Sequence, residues 1–509
     1  MDALQTLAST VIQWSALTLL FVLGLGILYI AILYIIDVTQ TEQTIRRNYP
    51  VVGRFRYFFE HLGEFFRQYF FAMDREELPF NRAERSWAYR AAKKVDTTIA
   101  FGSTRSLDQE GEPIFINCPF PTLDQDALEP QPVTIGEGVA KKPYTTRALV
   151  NISGMSYGAI SKPAVLALSK GAKQAGIWMN TGEGGLSPYH LEGGCDIVFQ
   201  IGTAKYGVRD ENGKLSNEKL KKVAEHAQVK MFEIKMSQGA KPGKGGMLPG
   251  AKITKEIANI RGINVGEDSI SPNGHIDITC VDDLLDMINH VRDVTEKPTG
   301  FKMVVGSLDF FHDLCKKIHD RGIQSAPDFI TLDSSDGGTG AAPQPLMDYV
   351  GMNIKESLPE VVDIITMYGL RQRIKIISSG KLMTPGKAAW ALSAGADFIV
   401  SARGFMFALG CIQALQCNKN TCPTGITTHD KDLQRGLVPK DKAIRVANYA
   451  KKITYGIGLI AHSCGVKQPR DLCRHHVRII EHGARSRVFS EIYPTPEIKP
   501  EYITVKEVS

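Results

Sequence analysis

A chain of 509 residues with 43% hydrophobic and 22% charged side chains has enough apolar material for a large core, which excludes a disordered or fibrous protein. The net charge of +6 is modest for this length and is not gathered into a basic stripe, so no nucleic acid is expected as a partner; the excess suits anionic lipid or anionic substrates. Nine cysteines without a regular secreted-type spacing read as reduced thiols facing a cytosol.

In chain order, the first element is VIQWSALTLLFVLGLGILYIAILYII, residues 11–36, which carries no charge. At about 1.5 Å per residue it exceeds a hydrocarbon core of about 30 Å, so it is expected to span a lipid bilayer with some tilt. No basic n-region precedes it, which argues for an uncleaved anchor over residues 1–36. Arg46, Arg47, Arg54 and Arg56 follow, placing the body of the chain in the cytoplasm as a single-pass membrane protein.

Residues 37–144 form a linker and pre-barrel region. Here Phe55, Tyr57, Phe58, Phe59, Phe65, Phe66, Tyr69, Phe70 and Phe71 interleave with Arg54, Arg56 and Arg67. That mixture suits a membrane interface or an aromatic face packed on the main domain.

From about Arg147 the pattern changes to eight short apolar runs, at 148–153, 177–180, 196–201, 231–235, 300–305, 328–333, 374–379 and 397–402, separated by helical stretches such as VDDLLDMINHVRDV. Continuous apolar strands alternating with helices predict an α/β protein with parallel strands, first a (β/α)8 TIM barrel over residues 145–430 and second a doubly wound sheet. Residues 431–509 are expected to be helical.

In a barrel, the turns after the strands line the catalytic face. They read SGMSYGAIS at 153–161, NTGEGGLS at 180–187 with Glu183 between glycines, KMSQGAKPGKGGMLPGAK at 235–252 with Gln238 and Lys241, SSDGGTGA at 334–341, GKLMTPGKA at 380–388 and RGF at 403–405. Glycine turns and helix N-termini bind phosphate, so Gly380, Gly404 and Arg403 are phosphate candidates. Lys302 lies inside a strand, where a cation can stabilise a reduced flavin or form an ion pair.

The last turn continues into GCIQALQCNKNTCPTG at 410–425, with Cys411, Cys417 and Cys422. On a straight helix Cys411 and Cys417 would point roughly 120° apart; convergence becomes possible if GCIQALQ is a short helix that NKNTCPTG leaves as a loop. Three thiols this close fit a zinc site, an iron–sulfur cluster or incidental core thiols. Isolated Cys118, Cys195, Cys280 and Cys315 read as buried thiols.

Taken together, these motifs resemble the FMN-binding synthase domain of glutamate synthase, in matching order over about residues 145–450, and the anchor resembles the short membrane-tethered members of that family. The resemblance implies a barrel holding FMN at Ser153, Gly154, Met155, Lys302, Gly337, Gly338, Gly380, Arg403 and Gly404, and a [3Fe–4S] cluster on Cys411, Cys417 and Cys422. It further implies condensation of ammonia with 2-oxoglutarate and reduction of the imine to L-glutamate. Glu183, Lys241 and Gln238 would be catalytic, with Arg261 and Ser156 at the substrate. The chain opens on MDALQTLAST in place of a glutaminase domain, so no glutamine hydrolysis is expected, and electrons must come from an external donor such as ferredoxin or a membrane carrier. Met247 and Leu186 depart from the family pattern, where glutamine and an acidic residue are usual. They leave open a reductase or electron-transfer protein for a different keto acid or imine; a non-catalytic membrane-tethered subunit is the third reading.

Overall fold

The structure is a computed structural model and describes residues 2–66, 69–70 and 73–502. It divides into two compact units, Met1–Leu78 and Pro79–Ser509.

The first unit contains α1 (Asp2–Thr39), α2 (Thr44–Asn48) and α3 (Gly53–Phe66). Among the described residues α1 is the one helix long and apolar enough to cross a membrane. Its hydroxyls need no outside partner. Ser15 Oγ donates to the Val11 carbonyl and Thr18 Oγ1 to the Trp14 carbonyl, each at 2.8 Å, which leaves little unsatisfied polarity on the helix surface. Of the aromatic and basic set, Arg67, Phe71 and the side chain of Phe65 lie outside the described residues.

In the second unit eight parallel strands close on themselves. They are β1 (Val150–Ile152), β2 (Met179–Asn180), β3 (Ile197–Ile201), β4 (Val229–Lys235), β5 (Thr299–Val304), β6 (Phe329–Asp333), β7 (Lys375–Ser379) and β8 (Phe398–Ser401). Closure is the pairing of β8 with β1, Ile399 opposite Val150. All eight predicted runs are barrel strands, and the (β/α)8 reading holds over the doubly wound alternative.

The barrel interior is graded. Trp178, Val198, Met231, Phe329, Ile377 and Phe398 form an apolar floor, closed by Ile135 and Tyr144 from a hairpin that pairs Val133–Ile135 with Tyr144–Thr146. Above it sits Glu233, buried, accepting from Asn180 Nδ2 (2.8 Å), Gln200 Nε2 (2.7 Å) and Thr331 Oγ1 (2.6 Å). Higher still come Lys235, Lys302 and Asp333, at the carboxyl ends of their strands. Polarity thus rises toward the face where the predicted motifs lie.

Two expectations change. The pre-barrel residues 79–144 belong to the same compact unit as the barrel; α4 (Arg82–Ala92) packs on the helices Arg403–Leu409 and Pro439–Ser463. The terminal region is helical through Ser463, but Val477–Ile480 and Ser486–Val488 then form an antiparallel sheet with Pro113–Phe115. The alternating segment VRII and the Gly483 turn carried that hairpin signal; the third strand comes from more than 300 residues earlier and has no local signature.

Outside the strands, Asp328 is fully buried. It pairs with Arg292 and Arg373, both at 2.8 Å, and accepts from the Thr299 backbone N–H at 2.7 Å. Asp328→Ala strands the buried Arg292 and the partly buried Arg373 and should destabilise the barrel by about 3–5 kcal/mol. The check is thermal unfolding of the detergent-solubilised full chain, and an unchanged midpoint would show the pairs to be dispensable.

Candidate active site

A cleft enclosing about 1450 Å³, its open mouth included, lies at the carboxyl ends of the strands. Of the residues expected to act here, all but Gly404, Cys411 and Cys422 line it.

Glu183 follows β2 in a slot made by glycine. A Cβ on Gly202 would lie 2.6 Å from the Glu183 Cβ, and one on Gly246 would lie 2.4 Å from its Oε1. The glycine-rich loop after β4 therefore closes over the carboxylate because it has no side chain at that point. Lys235 Nζ donates to Glu183 Oε1 at 2.9 Å. Burial pushes the Glu183 carboxyl up, but the charges of Lys235, Lys241 and Arg261 outweigh it and hold the group below its ordinary range.

Lys241 is itself buried, and burial together with nearby Lys235 lowers its affinity for a proton, against the pull of Glu183. Arg261 closes the helix Lys255–Arg261 and is 5% exposed. It donates to Ser156 Oγ (3.3 Å) and Ser269 Oγ (3.1 Å), with the Tyr206 ring 5.2 Å from its guanidinium carbon. Its Nε is buried with no hydrogen-bond partner among the described residues.

On the other wall, Lys302 pairs with Asp333 at 3.2 Å. Burial lowers the Lys302 pKa, but Asp333 and Glu233 overcome this and raise it, so its ammonium is firmly charged. Asp333 also accepts from the Gly239 backbone N–H at 3.1 Å. Arg403 reaches across the cleft to the Thr339 carbonyl, 2.6 Å away. A Cβ on Gly338 would meet its Nε at 2.8 Å, and one on Gly380 would strike the Ser334 Cβ at 2.2 Å. The missing side chain at Gly338 keeps the wall low beside Arg403, whereas Gly380 is a glycine because buried Ser334 behind it leaves no room for a Cβ.

Gly404 is placed otherwise. Its N–H donates to Ser401 Oγ at 3.3 Å, and a Cβ there would lie 2.0 Å from the Tyr449 hydroxyl. It is a packing glycine under the long C-terminal helix.

The cysteine loop departs from its expected form as well. The helix Arg403–Leu409 ends at Gly410, which takes φ 110°, so GCIQALQ is irregular; Gln413, Leu415 and Asn420 all adopt φ between 55° and 60°. Cys417 lines the cleft, with Arg403 Nη1 4.0 Å from its Sγ. Burial raises the Cys411 thiol to about 11, with the neighbouring Cys417 and Cys422 adding to the rise. Cys422 is lowered: burial opposes this, and hydrogen bonds from Thr424 and Thr427 prevail. No group of three His, Cys, Asp or Glu among the described residues stands at the spacing of a single metal ion.

Phe80, Lys252 and Asp333 line the cleft with no role in the sequence reading. Phe80 precedes α4 and enters the wall from outside the barrel motifs. Lys252 is 1% exposed, and its Nζ donates to the carbonyls of Ala159 (3.2 Å) and Cys417 (2.8 Å). Asp333 could have been found as the strand residue immediately before SSDGGTGA. In total Lys235, Lys241, Lys252, Arg261, Lys302, Lys381 and Arg403 face the cleft, against the carboxylates of Glu183 and Asp333. Such a lining selects anionic ligands.

Residues 116–467 match the family described as a conserved region in glutamate synthase. The chain is 41% identical over 494 residues to the glutamate synthase large subunit-like protein YerD of Bacillus subtilis, covering 90% of this chain and 93% of that one. It is 34% identical over 331 residues to the archaeal glutamate synthase [NADPH] of Methanocaldococcus jannaschii, covering 64% of this chain and 60% of the relative. Among solved structures, a mutant of the active chimera of (S)-mandelate dehydrogenase aligns with a TM-score of 0.47 at 13% identity, over 78% of this chain and 98% of that one. Matched across two thirds of its length by the family pattern and nearly end to end by YerD, the chain belongs to the glutamate synthase family.

Proposed function

We propose that the cleft binds FMN and a keto acid together, and that the protein is an oxidoreductase making L-glutamate from 2-oxoglutarate and ammonia with electrons from an external donor, ferredoxin or a membrane carrier. The observation that carries the reading is the charge of the lining, seven cationic side chains against two carboxylates at the carboxyl ends of the barrel strands, which suits a phosphorylated cofactor and a dicarboxylate.

The residues present fit a flavin phosphate on one wall. At Gly338 a Cβ would run into Arg403 Nε, so the missing side chain leaves that guanidinium open toward the cleft, with Gly380 on the same wall and the first turn, Ser153, Gly154 and Met155, along the same cleft with Gly337. Lys302, kept charged by Asp333, would face the ring edge that becomes negative on reduction. When bound, FMN supplies hydride chemistry. The three cysteines would carry a [3Fe–4S] cluster; in support, Cys417 lines the cleft with Lys252 at its carbonyl and Arg403 Nη1 4.0 Å from its sulfur.

The protein's own work is binding and proton movement. Lys241 and Arg261 would neutralise the two carboxylates of 2-oxoglutarate, Arg261 being held toward the cleft by Ser156 and Ser269. Glu183, kept ionised by its cations, is poised to take a proton from ammonia as it adds to the ketone. Lys241, whose burial loosens its proton, is the better acid for the departing water. Gln238 would orient the carbonyl from the loop that covers Glu183. For location, the length and exposed apolar surface of α1 support a single membrane span with the barrel on the cytoplasmic side. Met247, half-exposed on the cleft lip, favours as a second reading a less polar keto acid.

The test is the detergent-solubilised full chain, examined by absorption and EPR and then given reduced ferredoxin, ammonia and 2-oxoglutarate. Both cofactors with glutamate formed supports the reading; both without glutamate moves the assignment to another keto acid, and neither leaves a non-catalytic subunit. Glu183→Gln should lower kcat about 10²–10⁴-fold with flavin retained. Arg261→Ala should raise the KM for 2-oxoglutarate roughly tenfold or more, and an unchanged KM would remove Arg261 from the substrate site. Cys417→Ser should abolish the EPR signal and leave the flavin spectrum; an unchanged signal would remove Cys417 from the ligand set.

A further inference from the structure

The aromatic residues of α3 are arranged with helical regularity. At about 100° per residue, Phe55, Phe58, Phe59, Leu62 and Phe66 share one face, while Arg56, Tyr57, Glu60 and His61 occupy the other. In a soluble helix such a face is buried. Here Phe55, Phe58, Phe59 and Phe66 are 59%, 57%, 61% and 38% exposed, and the rings of Phe58 and Phe59 meet edge to face at 5.4 Å.

The direction of α3 is tied to the end of α1 by a buried carboxylate. Asp37 is 0% exposed and accepts from Arg46 Nε (2.8 Å) and Nη2 (2.6 Å), Arg54 Nε (2.8 Å) and Nη2 (2.7 Å), and the Val51 backbone N–H (3.0 Å). One arginine comes from α2 and the other from the first turn of α3, so all three helices meet at this residue. A carboxylate with five donors holds a corner, not a flexible tether. The exposed aromatic face therefore begins a fixed step beyond the apolar helix.

We propose that α3 lies along the surface of the bilayer that α1 crosses, with Phe55, Phe58, Phe59 and Phe66 inserted at the boundary between headgroups and acyl chains. The inference rests on reading α1 as a membrane span. Aromatic rings are the side chains that favour this boundary, and an amphipathic helix lying in it buries its apolar face there. Charge does not drive the contact: over residues 37–66 Asp37, Glu42, Glu60 and Glu64 balance Arg46, Arg47, Arg54 and Arg56. Neutral lipid should suffice.

The full chain, reconstituted in phosphatidylcholine vesicles, is tested with a photo-crosslinking phenylalanine analogue at position 58 or, as the opposite-face control, at position 61. Lipid adducts at 58 should exceed those at 61 several-fold and be indifferent to added salt. Equal labelling at the two positions, adducts only to peptides from residues 79–502, or adducts to a second copy of the chain would each overturn the proposal. Alkaline carbonate washing separates the two layers of inference. A chain that stays in the vesicles while position 58 misses lipid refutes the docking of α3 alone; a chain that washes out refutes the span and this proposal with it.

Discussion

The constraint on which the site depends is an excess of desolvated positive charge. Two like charges about 7 Å apart at an effective dielectric near 20 repel by about 2 kcal/mol, and seven cations face a single cleft. The protein answers with three carboxylates: Glu183 shared among Lys235, Lys241 and Arg261, Asp333 between Lys302 and the Gly239 N–H, and Asp336 paired with Lys381 at 3.1 Å. What remains uncompensated is the binding energy for anions. This explains why Lys241 holds its proton loosely while Lys302, with its own carboxylate, does not. One wall is therefore fitted for proton traffic and the other for a fixed charge.

Such a mouth can exist only on a rigid base, and the barrel supplies it in layers. Glu233 is the hinge between regimes: below it the interior is aromatic and aliphatic, above it charged. A lone buried carboxylate would cost several kcal/mol. Three donors from β2, β3 and β6 reduce that cost while locking four strands in register, so the polar layer reinforces the barrel that carries it.

How much of this could be read in the chain follows from the range of each signal. Eight strands were legible because a strand buried on both faces must be apolar without interruption, and that is local. Glu183, Lys241 and Arg261, read from the glycines and turns around them and from family likeness, line the cleft. Phe80 and Lys252 were not legible, because their roles arise from contacts with Gln413 and Cys417, far off in sequence. Gly404 was misassigned for the opposite reason: a glycine after a strand fits phosphate or close packing equally well, and only the Tyr449 hydroxyl behind it decides. The helix expected over GCIQALQ failed at Gly410, whose φ of 110° no other residue would adopt readily.

The cysteine loop shows what that irregularity requires. Three residues other than glycine at positive φ cost roughly 1–3 kcal/mol each. Four tethers hold them: Tyr89 Oη to the Cys411 carbonyl at 2.6 Å, Gln413 Nε2 to the Phe80 carbonyl at 3.0 Å, Lys252 to the Cys417 carbonyl and Thr428 Oγ1 to the Asn420 carbonyl at 2.5 Å. Neutral hydrogen bonds contribute about 1 kcal/mol each and the charged one about 1.5–3, so the tethers offset much of the strain. Two of them come from the segment 80–89 just before the barrel. That segment is thereby part of the site's construction: it fixes the loop whose Cys417 faces the cleft, between Lys252 on one side and Arg403 on the other, where a negative charge on the thiols would be stabilised from both.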